Sequence, residues 1–507
     1  MKKIFNVKML ENECWYGGVV VDFVKMPYDK NTKHEFDLAE NNVFDQAASI
    51  LLSNKGRAIR YEPDNVKIED GVIGVTYEMK EPQLISAGSA LKDAYRYAVS
   101  EWFNKDDTIP PEDCFICPQF NDWMEVGYNQ TQEGILKYAE EIVKTGYKHS
   151  VLMIDDKWSD DYGDFEFSKS RFPDPEGMIK KLHDSGFKVM LWETPFVSPD
   201  SPEFRELRDK DYLLKDENGN AAIRKWWNGY SAVLDLSNPN AFEWLKDKNS
   251  ALIAKGIDGF KFDAGDVDYY KATDKNFGNV SPVEQNRKYC EFGKMYKYNE
   301  FRSMVNESGT GCMWRQCDKT HSFDEGGLKG IVGGALMQNL LGYWYSAPDM
   351  VGGGSIGSDK LVDEELFVRY AEAASLMAMM QMSRLPHGCL SRESADLCKK
   401  YADLHYELGE YIYSLAVNAA TFGDPILKMM EYEYPNQGFE HEFGTFMLGD
   451  KYLVSPVVEK GQFAKTIKLP QGKWEYVYDG KTYDGGKEYE FETPLEVLPY
   501  FIKKQVK

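Results

Sequence analysis

Long apolar runs are missing from this 507-residue chain. Charged and polar residues return by Asn6, Lys8 and Glu11 before any stretch long enough for a secretory signal develops, and no segment approaches the ~20 apolar residues of a membrane span. Positive charge is also scarce. Sixty Lys and Arg stand against 82 Asp and Glu, a net charge of −22, which argues against nucleic acid or an anionic membrane surface as partner and favours a neutral small substrate. Cysteine is sparse. Its eight copies fall at irregular spacing, so no disulfide framework is expected and a reducing cytoplasm is the expected compartment. Cys114-Phe-Ile-Cys117 has CxxC spacing but lacks the second CxxC or His pair that would complete a zinc site, and reads as buried thiols on a strand. Neither a metal nor an organic cofactor is expected. There is no internal repeat and no low-complexity tract, and the oligomeric state is open, a homo-oligomer included. What the chain does have is aromatic surface: 14% of its residues, with 11 Trp and 32 Tyr, which serve cores and also give flat platforms for sugar rings.

The length accommodates one large catalytic domain and one or two smaller ones. Residues 1–108 carry strand-like alternations, such as Val66-Lys-Ile-Glu and Gly74-Val-Thr-Tyr-Glu-Met, broken by turn signals at Pro63-Asp64-Asn65 and Glu69-Asp70-Gly71, and predict a β-rich domain. The Ile109-Pro-Pro-Glu-Asp113 stretch reads as a stiff linker. From there strands alternate with amphipathic helices. Phe115-Ile-Cys-Pro leads to a helix over 132–145, and a buried strand over 150–154 ends at Asp155-Asp156. A helix over 175–185, a strand over 187–192 and a helix over 241–254 follow. Repeated βα units predict an α/β fold with a (β/α)8 barrel over residues 109–422, longer than the ~250 residues typical of that barrel. Beyond Leu448 the segments Tyr452-Leu-Val-Ser-Pro-Val-Val458, Thr466-Ile-Lys-Leu and Trp474-Glu-Tyr-Val-Tyr478 predict antiparallel strands, so residues 423–507 are expected to form a C-terminal β-sandwich.

The chemistry concentrates at Gly256-Ile-Asp-Gly-Phe-Lys-Phe-Asp-Ala-Gly-Asp266, a short buried strand running into an acidic cluster. Phe260 and Phe262 share one face, Lys261 and Asp263 the other, which places Asp263 at a strand mouth, where barrel enzymes carry catalytic groups. Spacing alone leaves open an aspartate that merely caps the next helix. A second carboxylate, Asp318, lies in Trp314-Arg-Gln-Cys-Asp-Lys-Thr-His-Ser-Phe323. Glycoside hydrolysis needs two carboxylates, at ~5 to 5.5 Å in retaining enzymes, and Asp263 with Asp318 could supply them. The alternative for Asp318 is a surface ion pair with Arg315.

These motifs resemble glycoside hydrolase family 31, and within it the branch that contains the myogenesis-regulating glycosidase; the resemblance runs from about Cys114 to the C-terminus. It implies a retaining α-glycosidase with Asp263 as nucleophile. It also implies Asp318 as acid/base, with an aromatic five residues later (Phe323) and a substrate-contacting Arg sixteen residues earlier (Arg302), two tests that Asp324 fails. Leu341-Gly-Tyr-Trp-Tyr-Ser-Ala-Pro-Asp-Met-Val-Gly-Gly353 resembles the strand-seven signature and puts Asp349 at the sugar pocket. Asp155 resembles the strand-two aspartate that binds hydroxyls of the −1 sugar, and Phe172-Pro-Asp-Pro-Glu-Gly-Met the helix start that follows. Arg384-Leu-Pro-His387 resembles the stretch that supplies a sugar-binding His, with a structural role the alternative for His387. Trp226-Trp227-Asn-Gly and Leu234-Asp-Leu-Ser-Asn-Pro239 match the loop and strand before the nucleophile, so one indole is expected to wall the pocket and the other to sit in core. Asp156, Trp192, Trp314 and Arg315 complete the expected substrate-binding set. One departure bears on specificity: family α-glucosidases have Trp two residues before the nucleophile and Met-Asn-Glu after it, whereas this chain has Lys261 and Ala264-Gly265-Asp266. Lys261 is therefore expected to donate to a sugar hydroxyl or to tune Asp263, or else to serve as counter-ion to Asp266. The branch favours an exo-acting α-galactosidase; α-glucosidase, α-xylosidase and transglycosylase are rivals, and a catalytically silent sugar-binding homologue is the rival of a different class.

Overall fold

The computed structural model describes residues 2–357 and 362–504. Eight short strands alternate with helices as a (β/α)8 barrel: β1 Gln119–Asn121, β2 Val151–Ile154, β3 Lys188–Glu193, β4 Gly259–Phe262, β5 Tyr298–Phe301, β6 Met313–Arg315, β7 Ser346–Ala347 and β8 Gln381–Met382. The chain divides into two compact units, one of Met1–Asp37, Asp45–Pro118 and Asn306–Lys507, the other of Leu38–Phe44 and Gln119–Val305. In the second unit β1, β2, β3, β4 and β5 pair in sequence order, all parallel. In the first, β6 pairs parallel with β7.

The strands are buried on both faces, as their near-continuous apolar runs require. Gly259 opens β4 because a Cβ there would lie 2.0 Å from the Tyr298 carbonyl of β5. Phe260 and Phe262 then point toward the helix layer. Phe262 stacks on Phe301 at 5.0 Å and meets Tyr289 and Phe292 edge-on from the helix Pro282–Gly293. That fixes the opposite direction for Lys261. Directly after β4 the chain reverses through Ala264 and Gly265, both at positive φ (56° and 69°), so that Asp263 stays at the strand mouth.

Helix α1, Gln132–Thr145, has the predicted bounds. Thr131 accepts from the Gly134 amide at its start, and Gly146 closes its end in the left-handed region. Helices α2 (Pro175–Asp184) and α3 (Pro239–Ala254) each begin with Pro in the first turn behind an Asp or Asn cap. The expectation for Cys114–Cys117 is corrected: residues Asp113–Ile116 form a helical turn, and the first barrel strand begins only at Gln119. Phe115 has no alternation to support a strand, and Pro118 cannot donate to a ladder.

The N-terminal region of the first unit holds two antiparallel sheets. One orders Lys3–Lys8, Val72–Tyr77, Asn65–Glu69 and His34–Asp37; the Asp70-Gly71 turn between its two central strands has both residues at positive φ, as a two-residue hairpin demands. Toward the C-terminus a six-stranded sheet and a strand pair enclose Met447, Leu453, Ile467, Trp474, Phe491 and Phe501. Among the described residues no helix is long and apolar enough to cross a membrane.

Glu193, on the helix-facing side of β3, accepts from Asn249 of α3 at 2.7 Å through Oε2, while its Oε1 has no hydrogen-bond partner among the described residues. Burial pushes its carboxyl up to about 8. A raised folded-state value means that the native state binds a proton the unfolded chain has released, so stability falls as pH rises from the ordinary glutamate range toward that value. Glu193→Gln should remove this component: its melting temperature should gain on the native protein's from about pH 5 to about pH 8 and run parallel above. Thermal unfolding across that range checks it.

Candidate active site

Asp263 is held by three donors in the second unit. Arg302, the first residue after β5, places Nε 2.8 Å from Oδ1; the Ala264 amide reaches the same oxygen at 2.8 Å; and Trp192 Nε1 of β3 reaches Oδ2 at 3.1 Å. The other edge of the Arg302 guanidinium clasps Asp266, at 3.0 and 2.6 Å, and its Nη1 also donates to the Phe44 carbonyl at 2.7 Å. The two carboxylates draw the guanidinium's pKa well above its ordinary value against the cost of burial. A planar fork is the side chain that can do this, since it serves two carboxylates on different edges at once. The result is an oriented, charge-compensated carboxylate at a strand mouth.

One residue before Phe262, Lys261 donates to Asp155 Oδ2 at 2.7 Å, with side chains 4% and 3% exposed. Asn121 at the end of β1 reaches the same oxygen at 2.9 Å. The counter-ion alternative for Lys261 is corrected in its partner: Arg302 occupies Asp266, and Lys261 pairs with Asp155, two strands away. Asp156, the next residue, accepts from the Tyr162 hydroxyl at 3.0 Å on both oxygens and from Asn228 at 2.6 Å, and burial pushes its carboxyl up to about 6.

The two adjacent indoles separate as the sequence allowed. Trp226 is buried among Tyr162, Trp192 and Phe196, its Nε1 bonded to Ser231. Trp227, at the tip of the hairpin Ile223–Trp226/Gly229–Val233, is 48% exposed, and the Arg302 guanidinium lies 5.7 Å from its ring centre. It is the indole beside Arg302.

In the first unit Arg315, last residue of β6, is fully buried and donates from one nitrogen to Asp318 at 2.8 Å and to Asp349 at 3.2 Å. Asp318 is 42% exposed and Asp349 is enclosed. Asp349 also accepts from the amides of Lys319 and Gly354, each at 2.6 Å, yet burial and then the charge of Asp318 push its carboxyl up to about 6. Asp324, by contrast, caps an exposed turn through Ser322 and the Gly326 amide.

Two expected residues sit elsewhere. Trp314 is fully buried and packs edge-on against Tyr343 at 4.9 Å, because alternation along β6 sends it away from the side that Arg315 takes. His387, in the short helix Pro386–Cys389, meets Asp396 of the helix Arg392–Phe422 at 3.3 Å. Other members of the arrangement escaped sequence reading: the Phe44 carbonyl beside Arg302, Asp45 accepting from the Cys317 amide, Tyr162 and Asn228 on Asp156, and Asp122 beneath Asp155. Residues 44 and 45 lie more than 200 positions from their partners in a segment without a motif, so no local signal marked them.

Comparison with known proteins decides the family. The sequence model of the glycosyl hydrolase family 31 TIM-barrel domain matches residues 120–415, more than half of the chain. The chain belongs to glycoside hydrolase family 31. The family 31 C-terminal domain matches residues 423–506. Among curated relatives, the mouse myogenesis-regulating glycosidase is 31% identical over 430 residues, covering 82% of this chain and 59% of the relative. The α-xylosidase XylQ of Lactiplantibacillus pentosus is 27% identical over 403 residues, 73% of this chain and 51% of that one. The chain thus spans little more than half the length of these relatives. A family 31 dextranase structure from Flavobacterium johnsoniae superposes with a TM-score of 0.86 at 19% identity, over 99% of this chain and 66% of that one. A family 31 α-xylosidase structure from a soil metagenome gives 0.84 at 19% identity, over 100% and 80%. At these identities the structures establish the shared fold.

For this family 31 chain, replacing Arg302 by Met removes the cation that Asp263 and Asp266 share. Breaking a buried pair from one side costs about 3 to 5 kcal/mol, so urea unfolding of Arg302→Met should show a loss of that order. Arg302→Lys should recover only part of it, since an ammonium cannot bridge both groups.

Proposed function

We propose that this chain is a retaining, exo-acting α-glycosidase whose preferred substrate is a terminal α-galactoside. The observation that carries the reading is the fixation of Asp263 by Arg302, Trp192 and the Ala264 amide, which aims an oriented carboxylate out of the mouth of β4. Asp263 attacks the anomeric carbon while the bond to the leaving oxygen breaks, and a covalent glycosyl-enzyme forms. Asp318, partly exposed and sharing the charge of Arg315 with Asp349, gives its proton to the leaving oxygen and later takes one from the water that releases the sugar. Asp155, Asp349 and Arg302 hold sugar hydroxyls through charge-assisted hydrogen bonds, and Trp227 forms an apolar wall. The proposed compartment is the cytoplasm, on the cysteine pattern.

Support for the galactoside comes from Lys261. Where family α-glucosidases carry a flat Trp, this chain carries a buried cation bonded to Asp155, which makes that side of the pocket polar and fixes the carboxylate that meets the sugar. An axial 4-hydroxyl needs donors and acceptors placed for that direction. The named activities of relatives include α-xylosidase and isomaltosyltransferase, so xyloside hydrolysis and transfer to a sugar acceptor are the competing outcomes.

Asp263→Ala and Asp318→Ala should each fold and lose nearly all turnover, with azide rescuing the former as a β-glycosyl azide; full activity in either removes the two-carboxylate assignment. Proton NMR should find the α-anomer as first product, because two inversions restore configuration. On a nitrophenyl panel the α-galactoside should be cleaved fastest, and Lys261→Met should lower kcat/KM by more than about tenfold, ~1.4 kcal/mol of transition-state binding. A faster α-glucoside or α-xyloside would overturn the sugar and leave the mechanism.

A further inference from the structure

We infer that Asp122 is a positioning residue for sugar recognition: as an uncharged carboxyl it fixes Asp155 from below, and its ionisation loosens substrate binding. The inference rests on the reading of Asp155 as a sugar contact.

Asp122 follows β1 directly and is fully buried. Its Oδ1 accepts from the main-chain amide of Asp155 at 2.9 Å and from Gln130 Nε2 at 2.8 Å, while its own amide donates to the Met153 carbonyl of β2 at 3.1 Å. Its neighbour Asn121 holds the Asp155 side chain at 2.9 Å. Two consecutive residues therefore grip Asp155, one by its backbone and one by its carboxylate. Asp122 Oδ2 lies in the interior with no hydrogen-bond partner among the described residues.

The charges around it decide its state. Asp155 and Lys261 compensate each other at 2.7 Å, so an ionised Asp122 adds an unbalanced charge with a bare oxygen in the interior. Asp155 and Lys261 face it directly, and Tyr138 of α1 adjoins it, with Glu125 also acting on that tyrosine. Burial first, then the charge of Asp155, push its carboxyl up to about 8. Below that value the cluster is one compensated pair. Above it, two carboxylates compete for one ammonium and repel each other, and Asp155 loses the geometry that meets a hydroxyl. The effect falls on binding and leaves the reacting carboxylates untouched.

Asparagine reproduces the Oδ1 acceptor and cannot ionise. With nitrophenyl α-galactoside, or whichever nitrophenyl α-glycoside the full chain cleaves, the native KM should rise at least about fivefold from about pH 7 to about pH 9 with a smaller change in kcat. Asp122→Asn should keep a flat KM over the same range, whereas Asp122→Ala should raise KM throughout. A second readout needs no activity. The native chain loses stability as pH climbs from the ordinary aspartate range toward about 8, so the melting temperature of Asp122→Asn should gain on it across that window and then run parallel. An alkaline rise of KM that persists in Asp122→Asn overturns the positioning role, and parallel melting curves overturn the uncharged carboxyl. If Asp122→Asn does not fold, the native profile decides alone, a KM flat to about pH 9 overturning the inference. If no nitrophenyl glycoside is cleaved, the proposed function falls while the melting comparison still tests the proton on Asp122.

Discussion

One guanidinium between two buried carboxylates governs the mouth of β4. Asp263 and Asp266 are three residues apart after β4, and Arg302 pairs with both from the next strand, which offsets the cost of burying them. The left-handed turn at Ala264 and Gly265 brings the two carboxylates onto opposite edges of one fork. Strain there, packing of Phe262 on Phe301 behind it, and the Trp192 donor in front all serve a single outcome: Asp263 has one orientation.

The parallel register explains which neighbours reach this point. Trp192 of β3, Lys261 of β4 and Glu300 of β5 stand opposite one another, so all three lie at one level of the sheet. Each next residue turns to the helix layer, which is why Glu193 and Phe262 are found among α3 and the aromatic cluster. The same alternation on β6 hands Arg315 to Asp318 and Asp349 and removes Trp314 from them. Lys261 and Arg315 then do related work, each within its own unit: each buried cation pairs with a carboxylate, and an acid with raised proton affinity lies near each, Asp122 near the first and Asp349 beside Arg315.

Much of this was legible from the chain. The βα alternation, the bounds of α1, the hairpin at Asp70-Gly71 and the faces of β4 follow from spacing, caps and turn residues, which act over a few positions, whereas which of Trp226 and Trp227 is buried was left open. Partner choice was legible only between neighbours in sequence, as for Arg315 and Asp318, whose ion pair was one of the expected alternatives. Lys261 had Asp263 and Asp266 nearby in sequence, yet it pairs with Asp155, because pairing across strands depends on register and not on proximity along the chain. His387 had a motif and found Asp396 instead, since the helical turn after β8 sets its direction.

The sequence by itself determined the family and the barrel, because these rest on residue types at short, fixed spacings. Only the tertiary structure decided which charges compensate which, that Trp192 donates to Asp263, that the Phe44 carbonyl joins the Arg302 network, and that Asp122 is sealed beneath Asp155. Those outcomes depend on burial and on contacts between residues tens to hundreds of positions apart. Neither quantity is written in any local stretch; both appear only when the strands are laid side by side.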